Sequence, residues 1–145
     1  HVIIDYLDGQ APEGARLAPA QEPDRHRALR IVALATGLAD KAVALFYELR
    51  LHERVSEVWQ ERCRAQVLST LDVLEADKAG RESPFWFGER IGHADIAVAA
   101  ALRHAGEAHP DLIRLEGHPA LRRHAETMEA MPVFREISQP FIAPA

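Results

Sequence analysis

The sequence predicts an all-α fold, a helical bundle packed around one buried central helix. Three observations carry this. Apolar residues recur at 28, 29, 31, 32, 34, 35, 38, 39, 42, 43, 45, 46 and 49, which follows a 3.6-residue period with a broad apolar face. After Asp95 come seven apolar residues in a row, Ile96, Ala97, Val98, Ala99, Ala100, Ala101 and Leu102. A helix with no polar face needs cover on every side, so the other helices are expected to surround it. No stretch sustains strand-like alternation, and no period of about 20 to 50 residues repeats.

The elements follow in order. Val2 to Asp8 reads VIIDYLD, the pattern of either a short strand or the last turns of a helix, and Gly9 stands where a helix-ending glycine would. Pro12, Pro19 and Pro23 then break a Pro-, Gly- and Ala-rich connector. Asp24 is placed to cap one long helix, 24–53, with Gly37 in its middle. Ser56 caps a second helix, 57–79, whose apolar stripe reads Val58, Trp59, Val67, Leu68, Leu71, Val73 and Leu74; Gly80 stops it. The loop SPFWFGERIG leads into the buried helix, 93–107. A short turn or helix is expected after Pro110, a helix from Pro119 to Met131, and one more helical turn before a tail with two prolines. The organisation expected is a stub over 1–9, a linker over 10–23 and a helical domain over 24–145.

At 145 residues the chain can bury one real core, and 48% apolar with 27% charged residues is an ordinary soluble balance. A net charge of -5 argues against nucleic-acid or anionic-membrane partners, which favour a basic surface. The apolar runs fall short of the roughly 20 residues that span a bilayer. Cys63 is the only cysteine, so there is no disulfide framework. Together these fit a reducing, cytoplasmic setting.

Eight histidines invite a metal reading, but their spacing does not support one. HERVS at 52–56 lacks the second histidine of the zinc-protease pattern, His104 and His109 are five apart, and His118 and His124 are six apart. No metal is expected. There is no G-x-S-x-G elbow and no glycine-rich phosphate loop. RHRALR (25–30) and LRRH (121–124) alternate basic with apolar positions, as solvated helix faces do. Cys63 lies mid-helix between Arg62 and Arg64; those cations favour a thiolate, yet a lone helical cysteine reads first as packing.

The order of VIIDYLD, DRHRALRIVALATGLAD, VLSTLDVLE, FWFGERIGHADIAVAAAL and HPALRRHAETMEAMPVF resembles the C-terminal helical domain of cytosolic glutathione transferases, bacterial members above all. The likeness covers essentially the whole chain, and the GHADIA region is its most specific part. In that family the buried helix opens with a Ser/Thr-x-x-Asp capping box. Here Gly92 holds the cap position and only Asp95 keeps its role, bonding back to the Gly92 N–H and suiting the positive helix end. On this reading Asp95→Ala costs on the order of 1–2 kcal/mol.

The resemblance implies further features. VIIDYLD looks like the end of a thioredoxin-like domain otherwise absent from the chain. That domain carries the Ser, Tyr or Cys that stabilises the glutathione thiolate, so no catalytic residue is expected here and the fragment alone is expected to be inactive. Glutathione is the implied co-substrate. The helical domain would supply the pocket for a small hydrophobic electrophile and part of a homodimer interface. Thr36, Asp40, Val43 and Tyr47 share one face of the long helix and are the implied cleft residues. Asp40 either meets the glutathione ammonium or is a solvated or interface acid. His104 matches a place where relatives set an aromatic against the electrophile, and otherwise reads as a core or surface histidine. Tyr47 either bonds substrate or packs. Trp59, Trp86 and Phe87 read as core anchors. The rival readings are a noncatalytic docking or dimerisation module of the same family and an unrelated helical bundle.

Overall fold

The computed structural model describes residues 2–143, and these residues form six α-helices: α1 (Val2–Gln10), α2 (Asp24–Leu51), α3 (Glu57–Ala79), α4 (His93–Ala108), α5 (Pro119–Glu129) and α6 (Pro132–Ile137). Among the described residues there is no β-strand. The VIIDYLD alternatives resolve to helix, and Gly9 lies inside its last turn.

α2 and α3 form a long antiparallel pair. α2 turns Ile31, Ala35, Leu38, Ala42 and Leu45 into the core, the i, i+4, i+7 stripe that the sequence predicts. Its N-cap is Pro23, with no side-chain cap, rather than Asp24, which pairs with Arg27; Glu22 instead accepts the His26 N–H at 3.1 Å. α3 opens as expected, with Ser56 Oγ accepting the Trp59 N–H at 3.3 Å. Its buried stripe is Cys63, Val67, Leu71, Leu74 and Lys78, so Cys63 is a packing residue. Val58, Trp59, Leu68 and Val73 fall off that stripe and are exposed, a correction to the sequence reading. The expected core role fails for Trp59, which instead lies under the Lys41 ammonium at 5.6 Å.

α4 packs between α2 and α5 and buries Val98, Ala99, Ala101, Leu102 and Ala105. Its far end is tied down by the buried His109, whose Nε2 lies 2.8 Å from the Ala42 carbonyl of α2. The region after Pro110 makes only a 3-10 turn at Leu115–Gly117. α5 begins at Pro119 without a side-chain cap from its own N-terminus. The Glu75 carboxylate of α3 does that work, accepting the Ala120 and Leu121 N–H groups at 3.0 and 2.9 Å.

Between α3 and α4 the chain makes a tight turn in which Phe85 N–H donates to the Gly88 carbonyl. Gly88 has φ +126°, a conformation that L side chains rarely adopt. The turn delivers Trp86 into the core, where it is fully buried.

Candidate functional site

The site is built outward from the N-terminus of α4. Asp95 is 1% exposed and divides its carboxylate between two donors: Oδ2 takes the Gly92 N–H at 2.9 Å and Oδ1 takes the Trp86 N–H at 2.8 Å. One acid therefore satisfies an end of the buried helix and pins the preceding loop. His124 stacks edge-on against Trp86 at 5.1 Å, with its Nδ1 3.8 Å from Asp95. Burial pushes the His124 imidazole below its usual pKa, against the pull of Asp95. Lys78 donates to the Ser83 and Pro84 carbonyls at 2.9 and 3.1 Å. Burial depresses its pKa too, opposed by Asp95 and aided by Arg81 and Arg123.

Gly92 is explained by its surroundings. A Cβ there would lie 2.7 Å from the Leu17 carbonyl oxygen. That same carbonyl accepts the His93 N–H at 3.0 Å. The connector backbone thus passes over the helix start and satisfies one of its free N–H groups where another sequence would use a side-chain oxygen. The connector is itself held by Asp8, which accepts the Leu17 N–H at 2.7 Å and the Ala18 N–H at 3.3 Å and lies 3.2 Å from His93 Nε2. Burial disfavours the Asp8 anion, but the two N–H donors and His93 outweigh it and hold the carboxyl below the usual range. An Asp5–Arg25 ion pair fastens α1 to α2. The outer side of α1 is apolar and uncovered, with Val2 and Ile3 83% and 76% exposed.

α4 is not enclosed all round, contrary to the sequence expectation. Ile96 and Ala97 are half-buried and Ala100 is exposed, because α2 and α5 cover only part of its girth. The open stripe floors two cavities that share Ile96 and Ala100. The first, about 420 Å³, runs between α2 and α4 and is walled by Ala28, Val32, Ala39 and Ala97, with Asp5 and His93 at one end. The second, about 490 Å³, lies on the other flank of α4 under α6 and the C-terminal tail, walled by Met131, Phe134 and Phe141.

The predicted site residues separate on this surface. Thr36 lines the first cavity and His104 the second. Thr36 also bonds back to the Val32 carbonyl at 2.9 Å. Val43 is half-buried and Asp40 and Tyr47 are exposed; they continue along α2 but line neither cavity. Phe46, beside Tyr47, is the α2 ring that reaches the second cavity's wall, meeting Phe141 at 5.3 Å. Sequence reasoning missed Phe141, which sits in what reads as a proline-bearing tail, and missed His93 and Asp8. The i, i+3/i+4 spacing of Val32, Ala35 and Ala39 was the available signal for the first cavity. Among the described residues no three His, Cys, Asp or Glu side chains are placed to hold a metal, and no helix is long and apolar enough to cross a membrane.

An all-α domain with a capped, mostly buried helix and a two-lobed apolar face along its open side is the class that fold and site define. Comparison makes this particular. Residues 57–127 match the family model described as the glutathione S-transferase C-terminal domain. A glutathione transferase family member from Pseudomonas fluorescens Pf-5, solved with bound S-(propanoic acid)-glutathione, is 33% identical. It superposes with a TM-score of 0.80 over 97% of this chain and 69% of its own. A glutathione S-transferase from Methylobacillus flagellatus KT with glutathione bound is 28% identical, with a TM-score of 0.84 over 96% of this chain and 67% of its own. One from Methylobacterium radiotolerans JCM 2831, in complex with glutathione sulfonate, shares the fold at 24% identity and a TM-score of 0.85, over 99% of this chain and 68% of its own. No curated protein sequence matches the chain. The chain belongs to the glutathione S-transferase family, as its C-terminal helical domain, and spans about two thirds of the length of these relatives.

Proposed function

We propose that this chain supplies the electrophile side of a glutathione-dependent transferase, working against a thioredoxin-like domain that binds glutathione. The observation that carries the reading is the two-lobed apolar face along Ile96 and Ala100, with Thr36 and His104 among the polar residues that line it. The relatives solved with glutathione and S-(propanoic acid)-glutathione support the co-substrate.

The chemistry divides between the two units. Conjugation needs the glutathione thiol as thiolate, hence a lowered pKa, which the partner domain provides. It also needs the electrophile held within reach in a partly dry cleft, which the apolar lobes provide. Asp40, Val43 and Tyr47 extend the α2 side of that cleft toward glutathione, with Asp40 available to its ammonium. Without the thiolate-activating unit the chain is inactive. The uncovered apolar side of α1 fits packing against that unit, and the assembly is a cytoplasmic homodimer.

The test is transfer of glutathione to a nitroaryl halide, measured on protein carrying this chain behind its thioredoxin-like domain and on the chain alone. Turnover by the first and none by the second is expected. Glutathione binding without turnover on a range of electrophiles would replace the transferase reading with that of a noncatalytic docking module.

A further inference from the structure

A third cavity, about 320 Å³, lies between the C-terminal end of α3, the loop that follows it and α5. It shares no lining residue with either cavity of the candidate site. Lys78, Arg81, Arg123 and His124 line it, and Glu82 is the one carboxylate on its wall. Basic side chains therefore gather at one place on a protein whose net charge is -5.

These cations are unequally matched. Arg81 is paired with Asp77 at 2.8 Å and donates to the Trp86 carbonyl at 2.9 Å. The buried Lys78 ammonium gives two of its three N–H groups to the Ser83 and Pro84 carbonyls, which carry no charge. Asp95 attracts it from beyond ion-pair distance, and both Asp95 oxygens are already bonded to backbone N–H groups. Arg123 makes no ion pair and no side-chain hydrogen bond among the described residues. It and Arg81 push the Lys78 pKa further down, so positive charge is in excess around the ammonium. His124 adds a second unmet demand: it is 2% exposed, and its Nδ1 is buried without a hydrogen-bond partner. Such a nitrogen is a cost to the empty site, and an anion beside the ring favours its protonated, donating form.

We propose that this cavity binds the phosphate group of a small phosphate monoester, with Lys78 and Arg123 as its counter-cations. Two cations without a paired carboxylate match the dianion that such an ester carries above its second pKa of about 6. The free Arg123 guanidinium brings the planar set of donors that suits phosphate oxygens. A bare phosphate leaves most of the 320 Å³ unfilled, and the Pro84 and Ala120 side of the wall takes an organic group. The site is separate from the transferase reading and requires neither glutathione nor a thioredoxin-like domain.

The test is calorimetric titration of the protein with phenyl phosphate at about pH 8 and fixed ionic strength, where the ester is a dianion. Inorganic phosphate and phenol are titrated in parallel. Phenyl phosphate should bind at one site per chain, about tenfold tighter than inorganic phosphate because its ring leaves water, and phenol should not bind. Arg123→Gln should weaken phenyl phosphate binding about tenfold, the loss of a charge-assisted contact. Glu82→Gln should strengthen it about threefold by removing the opposing carboxylate. Both side chains are exposed, so neither variant should move the urea midpoint without ligand. In NMR spectra the His124 ring signals should shift as phenyl phosphate is added. No binding of phenyl phosphate, affinities that neither variant changes, or unmoved His124 signals would overturn the site. Inorganic phosphate binding as tightly as phenyl phosphate, or phenol binding as well as either, would overturn the ligand assignment.

Discussion

Gly92→Ser separates the account given by the structure from the one given by a capping rule. By the rule, serine at an N-cap is worth at most a few tenths of a kcal/mol over glycine. The backbone permits the change, since φ at Gly92 is -133° and any residue adopts it. The obstacle is the Leu17 carbonyl oxygen, 2.7 Å from the new Cβ. It cannot retreat freely, because it accepts the His93 N–H at 3.0 Å while the Leu17 N–H is bound to Asp8 at 2.7 Å. Moving it loses one neutral hydrogen bond, about 0.5–1.5 kcal/mol, and weakens a charge-assisted one of about 1.5–3 kcal/mol. The loss wins, and the variant should be about 2 kcal/mol less stable. Urea unfolding followed through Trp86 reads this as a lower midpoint at unchanged slope. Gly37→Ala is the control: it sits in α2 with nothing within 4 Å of its Cβ position and should gain about 0.5–1 kcal/mol. A Gly92→Ser protein as stable as the parent would refute the reasoning.

Asp95→Ala should cost about 3–5 kcal/mol in the same assay, more than a lost cap, because it strips the Trp86 and Gly92 N–H groups and leaves Lys78 without its counter-charge. A cost near 1 kcal/mol would show that Asp95 only caps. Glu75→Ala should cost about 1–2 kcal/mol, and amide exchange should rise in α5 before it rises in α2. Stability should fall in two steps on acidification. His124 titrates near 6.5 when unfolded and lower when folded, so the unfolded chain binds more protons and stability drops as pH falls below about 6.5. Asp8 and Asp77 are held below their usual values, so their contribution is present above about pH 4 and is lost as pH falls through their folded pKa values. Urea midpoints against pH should lose the upper step alone in His124→Phe; a profile still showing both steps would assign the upper one elsewhere.

Local pattern carries far in this chain. The 3.6-residue period marks α2, and Ser56, Gly80, Pro119 and Pro132 mark boundaries that the structure keeps, because each acts on its own neighbours. Asp95 is legible as a helix-start acid for the same reason, but its bond to Trp86 is not, since nothing in the spacing says where the loop will close. Gly92 reads as a weakened cap until the Leu17 carbonyl, 75 positions upstream, is seen beside it. The stripe on α3 keeps Val67, Leu71 and Leu74 but loses Val58, Trp59, Leu68 and Val73 and takes in Cys63, because a run rich in apolar residues allows two faces, and contact with α2 chooses between them. A continuous apolar run implies cover on all sides, yet α2 and α5 cover only part of α4 and leave it one open side, and the candidate site lies there. Thr36 and His104 fall on that site, while Phe141 reaches it only because the tail doubles back.

The central claim is that this chain holds the electrophile. It is tested most directly by steady-state kinetics of His104→Trp in protein that also carries the glutathione-binding domain, with each substrate varied in turn. The larger ring fills the second cavity, so KM for the electrophile should rise about tenfold, the worth of a displaced apolar contact, while KM for glutathione stays unchanged. A change confined to glutathione KM, or kinetics indistinguishable from the parent, would contradict the account.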